Sequence, residues 1–202
     1  MNSAHSTLRI VSTWPPRACR DPETEWIFCP CLQGLPRRSN LWIASLPIHD
    51  ANAILLDAIG SDAFRGVAPK PTYVGVCLVD PFRQLRQLFR TLMAAGISGV
   101  VNLPTTGAYR GSMARALDDL GTGVDREITM LALAREQGLR IGGVATAPET
   151  ASRMIDIGCD FVLDLRHGTE AANEMRSVIC PAGRPEYIAA FGPENPADLP
   201  AL

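Results

Sequence analysis

The feature that most constrains the fold is a unit that recurs along the middle of the chain. In each copy an amphipathic helix ends at a glycine, and a short β-branched strand follows almost at once, as at Gly96, Gly138 and Gly158. Glycine ends helices readily because it adopts positive φ without a Cβ clash. Alternating helices and strands form parallel sheets covered by the helices. Two architectures remain: a doubly wound sheet and a (β/α) barrel.

The strands of this pattern are mostly continuous apolar runs rather than alternating ones. Continuous runs suit strands that are covered on both faces of a parallel sheet. A complete barrel has eight strands and typically about 250 residues, whereas this chain has 202 residues and shows about five such runs. If the fold is a barrel, it is short by a unit or more. The predicted strands are Trp26–Cys29, Tyr73–Val79, Val100–Leu103, Ile141–Ala145 and Phe161–Leu165.

Polar residues before the apolar stripes predict where helices begin. Asp50 is the expected cap of one helix. Asp80 is the expected cap of another, with Phe82 as the first residue of its buried stripe. Thr146 has the capping-box spacing for a third.

Prolines crowd both ends of the chain and exclude a long helix there. We therefore predict three parts: an arm over residues 1–24, a domain over residues 25–180 and a proline-rich tail over residues 181–202.

Composition excludes several classes of protein. The net charge is −2, which leaves no basic excess for binding nucleic acid. No apolar run approaches the roughly 18 residues that span a bilayer, and the polar segment Met1–Ser6 does not look like a secretory signal. We therefore expect a cytoplasmic protein without membrane or nucleic-acid partners.

The chain has six cysteines, which we expect to be free thiols because a chain of this size has a sufficient core and shows no export signal. Cys29 and Cys31 are separated by one residue, but no second cysteine pair or nearby histidine completes four zinc ligands. These two cysteines are better explained as small apolar residues near the end of a strand.

Polar residues follow each predicted strand, at the edge where parallel α/β folds bind ligands. Each has a structural alternative. Asp80 fits a cap as well as a functional carboxylate, and Asn102 fits a loop brace as well as a substrate contact. The cluster Asp164, Arg166 and His167 fits an ion pair as well as an anion-binding rim. His49 is better explained as a solvated residue at a helix entrance.

Three short motifs, in this order, resemble the phosphoenolpyruvate hydrolase-like family. They are the helix start Asp50-Ala51-Asn52-Ala53-Ile54, the strand Gly75-Val76-Cys77 that runs on to Asp80-Pro81-Phe82, and the strand Gly99-Val100-Val101-Asn102 followed by Leu103-Pro104-Thr105. The likeness extends over roughly residues 25 to 170.

The resemblance implies a TIM-barrel-like α/β domain whose members act on phosphoenolpyruvate-like or phosphonopyruvate-like compounds. Related barrel domains also occur in plant virus-resistance proteins. The positions that match the family are Asp50, Asn52, Cys77, Asp80, Asn102 and Thr105. The chain departs from the family at the first strand, whose glycines are missing, and at Leu165, where the family has a histidine.

We therefore expect an enzyme, of hydrolase or lyase type, for a small anionic 2-oxo or enol carboxylate, with the site on an incomplete barrel. Asp80 is the expected general base or ligand of a divalent metal such as Mg²⁺. Asn102 is the second expected catalytic residue. The expected substrate contacts are Asp50, Asn52, Cys77, Thr105, Arg166 and His167.

Two alternatives remain open: a non-catalytic binding module on a degenerate barrel, and a piece of a longer barrel. A barrel of five strands would leave edges exposed, so we also expect the tail or a second copy of the chain to cover them.

Overall fold

The computed structural model describes residues 6–16, 24–36, 43–46, 49–68, 70–165, 178–181 and 187–191. The strands of this part of the chain are β1 Ser6–Val11, β2 Thr24–Phe28, β3 Tyr73–Gly75, β4 Gly99–Val101, β5 Arg140–Ala145, β6 Val162–Asp164, β7 Val178–Ile179 and β8 Tyr187–Phe191. The helices are α1 Ala51–Gly60, α2 Asp62–Arg65, α3 Leu85–Ala94, α4 Gly111–Asp119, α5 Val124–Glu136 and α6 Pro148–Asp156. Two short 3₁₀ turns cover Pro30–Leu32 and Thr106–Ala108.

All of these strands belong to one sheet in the order β7-β6-β5-β4-β3-β2-β1-β8. The strands from β8 to β6 run parallel to their neighbours, and β7 runs antiparallel to β6. The edge strands β7 and β8 also contact each other, so the sheet curls round toward closure. This confirms the predicted TIM-barrel-like α/β fold, which is irregular at the two-residue strand β7.

The prediction of about five strands is too low. Strand β1 lies in the segment predicted as an arm, and β8 lies in the segment predicted as a tail, so both ends contribute strands to the sheet. Strands β7 and β8 contact each other but stand at the two ends of the hydrogen-bonded order, so a second copy of the chain that covers the edges stays a prediction. No helix in the described part of the chain is long and apolar enough to cross a membrane.

Successive side chains along the strands belong alternately to two apolar layers. One layer packs between the sheet and the helices, and the other fills the interior of the curled sheet with side chains such as Ile10, Ile27 and Leu163. The rings of Tyr73 and Phe161 contact each other edge to face in the interior, with centroids 5.1 Å apart. Because side chains fill the interior, a ligand-binding site is expected at the ends of the strands.

Charged side chains close the amino-terminal end of the interior. The hydroxyl of Tyr73 donates to Oδ2 of Asp160 at 2.7 Å, and Nε of Arg140 donates to the same oxygen at 2.9 Å. Nη1 of Arg140 also donates to Oε1 of Glu25 at 2.9 Å. These bonds tie β2, β3 and β5 together at their starts, a position that serves stability in barrels of this type.

The helix starts agree only in part with the sequence. Asp50 caps α1, where its Oδ1 accepts from the Ala53 N–H at 2.8 Å, as predicted. The predicted cap at Asp80 is wrong, because α3 begins at Leu85 and Asp80 makes other bonds, described below. Phe82 is consequently 92% exposed instead of buried.

The predicted cap at Thr146 is also wrong. The cap position of α6 is Ala147, and the Thr146 hydroxyl donates to the Gly107 carbonyl at 2.7 Å.

Candidate functional site

A cavity of about 620 Å³ lies at the carboxyl ends of β3 and β4. This is the end of the sheet at which barrel enzymes carry their active sites. Asp80 and Asp50 lie in its wall near His49, and most of the remaining wall is apolar. The lining residues used below are Leu46, His49, Asp50, Cys77, Asp80, Phe82, Thr105, Thr106 and Met113.

Asn52 fastens the start of α1 to the segment that follows β3. Its amide pairs with the peptide group of Cys77: Nδ2 donates to the carbonyl at 2.9 Å, and Oδ1 accepts from the N–H at 3.0 Å. Nδ2 also donates to Oδ2 of Asp80 at 2.9 Å. Asn52 is 1% exposed, so the structure brings it together with Cys77 and Asp80 as a buried brace.

Asp80 is held by three donors. Oδ2 accepts from Asn52 and from Nη1 of Arg83 at 3.0 Å, and Oδ1 accepts from the Phe82 N–H at 2.9 Å. Burial by itself would raise the pKa of Asp80, but these hydrogen bonds and the Arg83 charge outweigh it and lower the pKa below its usual value. Asp80 is therefore ionised at neutral pH.

Arg83 joins the two carboxylates of the cavity wall. Its Nη1 contacts Oδ2 of Asp50 at 2.6 Å and Oδ2 of Asp80 at 3.0 Å. Sequence reasoning missed Arg83 because it was assigned to the helix after Asp80. Its spacing of three residues from Asp80 is a signal that could have found it.

Asn102 makes a second brace of the same kind, between β4 and β5. Its Nδ2 donates to the Val144 carbonyl at 3.0 Å, and its Oδ1 accepts from the Val144 N–H at 2.6 Å. Nδ2 also donates to Oε2 of Glu127 at 2.7 Å. Asn102 is completely buried, and the loop-brace alternative describes these contacts.

Glu127 is a buried carboxyl group that sequence reasoning missed. Oε1 accepts from the Thr106 N–H at 2.6 Å and from the Thr106 hydroxyl at 2.9 Å, and Oε2 accepts from Asn102 and from the Thr105 hydroxyl at 2.8 Å. Burial raises the pKa of Glu127 despite these four bonds. The available signal was an acidic residue within the apolar stripe of α5, at helical spacing from Val124 and Leu131.

The other predicted contacts fall into two groups. Thr105 and Cys77 both lie in the cavity wall. Thr105 is 4% exposed and bonded to Glu127. Burial raises the pKa of the Cys77 thiol to about 11. Arg166 and His167 lie outside the described residues.

The arrangement around Asp80 does not fit a divalent cation. All three donors to its oxygens are N–H groups, and the positive guanidinium of Arg83 occupies the space between Asp80 and Asp50. Cations of the Mg²⁺ type take several oxygen ligands. Within the described residues, no cluster of three or more His, Cys, Asp or Glu side chains could hold a metal ion.

Comparison with known proteins places this geometry in context. The sequence profile of the family described as phosphoenolpyruvate hydrolase-like matches residues 38–177, which include every cavity residue named above.

Similar proteins occur in a plant and in a bacterium. The chain is 34% identical over 118 residues to the ToMV resistance protein Tm-1(GCR237) of Solanum lycopersicum and equally to the ToMV susceptible protein tm-1(GCR26). This alignment covers 58% of the chain and only 16% of each tomato protein. The chain is also 33% identical over 144 residues to the uncharacterized protein y4oT of Sinorhizobium fredii, an alignment that covers 71% of each.

Proposed function

Because the chain belongs to the phosphoenolpyruvate hydrolase-like family, we propose that it is an enzyme for a small anionic 2-oxo or enol carboxylate bound in the cavity. The observation that carries the proposal is the Asp80 carboxylate, which is ionised and fixed in the cavity wall. Its side chain is 8% exposed. A charged group held in this way is preorganised for chemistry.

Asp80 is the proposed proton acceptor. A carboxylate offers about four lone pairs, and three of those on Asp80 are used by Asn52, Arg83 and the Phe82 N–H. The remaining lone pair on Oδ1 can accept a hydrogen bond from a water molecule. In the hydrolysis of an enol phosphate, that water attacks phosphorus and gives its proton to Asp80. The enol oxygen leaves as an enolate with the electrons of the broken P–O bond. The enolate takes up a proton from solvent at its carbon and becomes a ketone, and Asp80 returns its proton to solvent.

Arg83, which is not a lining residue but bonds to the lining residues Asp50 and Asp80, is the proposed partner of the substrate carboxylate. Within the described residues, Asp50 and Asp80 are the only acceptors of its hydrogen bonds, both through Nη1, so Nε and Nη2 are free to bind an anion. The guanidinium is 25% exposed and positively charged. Arg166 and His167 remain predicted contributors to the same anion contact.

Asn102 and Thr105 are better assigned to positioning than to substrate contact. The nitrogen and the oxygen of the Asn102 side-chain amide are both already bonded, and the Thr105 hydroxyl donates to Glu127. These bonds fix the loop after β4 against α5, and that loop forms one wall of the cavity. The proposed mechanism uses no metal; Mg²⁺ and the cytoplasmic location stay predictions.

The test is an assay with phosphoenolpyruvate that measures release of phosphate and pyruvate, with and without Mg²⁺ and a chelator. Asp80→Asn should lower kcat by about 10²–10⁴-fold, the range of general acid–base catalysis. Asp57→Asn is the control, since Asp57 is exposed on α1. Equal rates in both variants would refute the role of Asp80, and turnover only with Mg²⁺ would refute the metal-free mechanism.

The substrate contact is tested at Arg83. Arg83→Gln should raise KM for the acid by about 10–100-fold, because hydrogen bonds to charged groups are worth about 1.5–3 kcal/mol. Arg86→Gln is the matched control, an exposed arginine on the adjoining turn of α3.

A binding module without catalysis is the second candidate function. One observation favours it. The buried side-chain amides of Asn52 and Asn102 form hydrogen bonds to backbone groups, and these bonds stabilise the fold. Calorimetry that finds binding of the acid to wild-type protein, together with no turnover, would support this candidate over the enzyme.

A further inference from the structure

The cavity is much larger than a three-carbon acid requires. Its volume is about 620 Å³. Cavities of about 300–1,000 Å³ are typical for ligands of drug-like size. A substrate as small as pyruvate would leave most of this space to water.

Two polar side chains of the cavity are buried more deeply than its three large exposed apolar side chains, whereas Asp50, with 49% of its side chain exposed, lies nearer the surface. The polar side chains Thr105 and Asp80 belong to its buried part, with 4% and 8% exposure. The apolar side chains of Phe82, Met113 and Leu46 lie at its mouth, with 92%, 53% and 42% exposure. A ligand that matches this arrangement is polar at the end that enters first and apolar at the other end.

Exposed apolar side chains are concentrated around this cavity. The described residues include four large apolar side chains that are exposed, and three of them line the cavity; the fourth, Leu120, does not. The helix α4, which carries Met113, has no buried side chain although one of its faces is apolar. Covering this surface with an apolar group releases water and is therefore favourable.

We propose that the substrate is a 2-oxo or enol carboxylate with a branched aliphatic or aromatic side chain. Its acid group lies at the end where Arg83 bonds to the lining residues Asp50 and Asp80, and its apolar side chain packs between Phe82 and Met113. This inference rests on the proposed function for the acid end, whereas the apolar end rests on the cavity alone. A small molecule is the favoured occupant because the exposed apolar side chains line a concavity that also holds the buried side chains of Thr105 and Asp80.

The experiment measures binding by calorimetry for a series that differs only in the apolar part: pyruvate, 4-methyl-2-oxopentanoate and phenylpyruvate. Affinity should rise about fourfold for each added methylene that is buried. The alcohol 2-phenylethanol carries the aromatic ring without the acid group and should bind more weakly than phenylpyruvate by at least tenfold.

Two variants locate the apolar end. Phe82→Ser should weaken binding of phenylpyruvate by about tenfold and leave pyruvate unchanged, because a ring-to-ring contact and its buried area are lost. Leu120→Ser is the control: it removes an exposed apolar side chain outside the cavity and should change neither affinity.

The outcomes separate this inference from the proposed function. If pyruvate binds as tightly as phenylpyruvate, the inference fails while the function stands. If 2-phenylethanol binds as tightly as phenylpyruvate, the acid-binding function fails while the apolar site stands. If no member of the series binds, or if both serine variants behave alike, the inference is overturned.

Discussion

Removing the Glu127 carboxyl group should destabilise the protein more than its place on a surface helix suggests. Four donors point at its two oxygens: the Thr106 N–H and hydroxyl, the Asn102 amide and the Thr105 hydroxyl. In Glu127→Ala the two hydroxyls can rotate toward other acceptors. The two N–H donors cannot, because the backbone and the bond from Asn102 to Val144 fix them.

The expected magnitude follows from those two donors. A buried polar group left without a partner costs about 1–3 kcal/mol, so two of them cost about 2–6 kcal/mol. Without moving, the Asn102 Nδ2 keeps its weak bond to the Thr105 hydroxyl oxygen at 3.4 Å, which favours the lower half of that range. We expect Glu127→Ala to lower the free energy of unfolding by about 2–4 kcal/mol. Glu127→Gln should cost about half as much, because its amide oxygen still serves one donor.

Urea unfolding at constant pH measures these changes, with Glu136→Ala as the control. Glu136 is exposed at the end of the same helix, and surface substitutions usually change stability by less than about 0.5 kcal/mol. A loss in Glu127→Ala no larger than that of the control would show that the carboxyl group does not hold the loop after β4.

The pH dependence of stability provides a second test of Glu127. Its pKa is higher in the folded chain than in the unfolded one, so the folded state binds the proton more tightly. Its contribution is complete below the unfolded value of about 4.3 and is lost as the pH rises through the folded pKa. The stability of wild type relative to Glu127→Gln should therefore fall with rising pH above about 4.3. A difference that rises instead would contradict the raised pKa.

The interior of the barrel and its amino-terminal end give two further predictions, both measured by thermal or urea unfolding. Gly142→Ala should lower the free energy of unfolding by about 1–3 kcal/mol through overpacking, because the new Cβ would lie 2.3 Å from Phe161. The control Gly60→Ala, with open space around the new Cβ, should leave the stability unchanged. Equal effects of the two substitutions would refute this account of the packing. Tyr73→Phe should cost about 1.5–3 kcal/mol, since the lost hydrogen bond goes to the charged Asp160, and an unchanged stability would show that this bond contributes nothing.

The strands that could be predicted from the sequence are those covered on both faces. Such strands read as continuous apolar runs, and the runs at β2 to β6 were found. Strand β1 does not follow that rule: Leu8 and Ile10 are buried, whereas Thr7 and Arg9 are partly exposed, so its sequence alternates. Strand β8 pairs with β1 although the two strands lie near opposite ends of the sequence, and no local sequence pattern indicates such a pairing.

The candidate site was predictable where its residues follow strands in the parallel sheet. Asp80 and Cys77 lie in the cavity wall as expected, because the carboxyl end of β3 opens there. The partners of these residues were not predictable, because hydrogen bonds join groups distant in sequence. Asn52 reaches 25 positions along the chain to Cys77, and Asn102 reaches the same distance to Glu127. Which side chain meets which backbone group depends on how α1 and α5 dock on the sheet.

The two asparagine braces divide the cavity into a fixed part and an adaptable part. Asn52 holds the segment after β3, and Asn102 holds β4 against β5, in each case through both hydrogen bonds of one peptide group. Groups held by two bonds keep their positions, as a reacting centre requires.

At the mouth, by contrast, Phe82 and Met113 are exposed, so changes there should alter the ligand at little cost to stability. The same scaffold can thus keep one acid-binding end while its mouth accommodates different apolar groups.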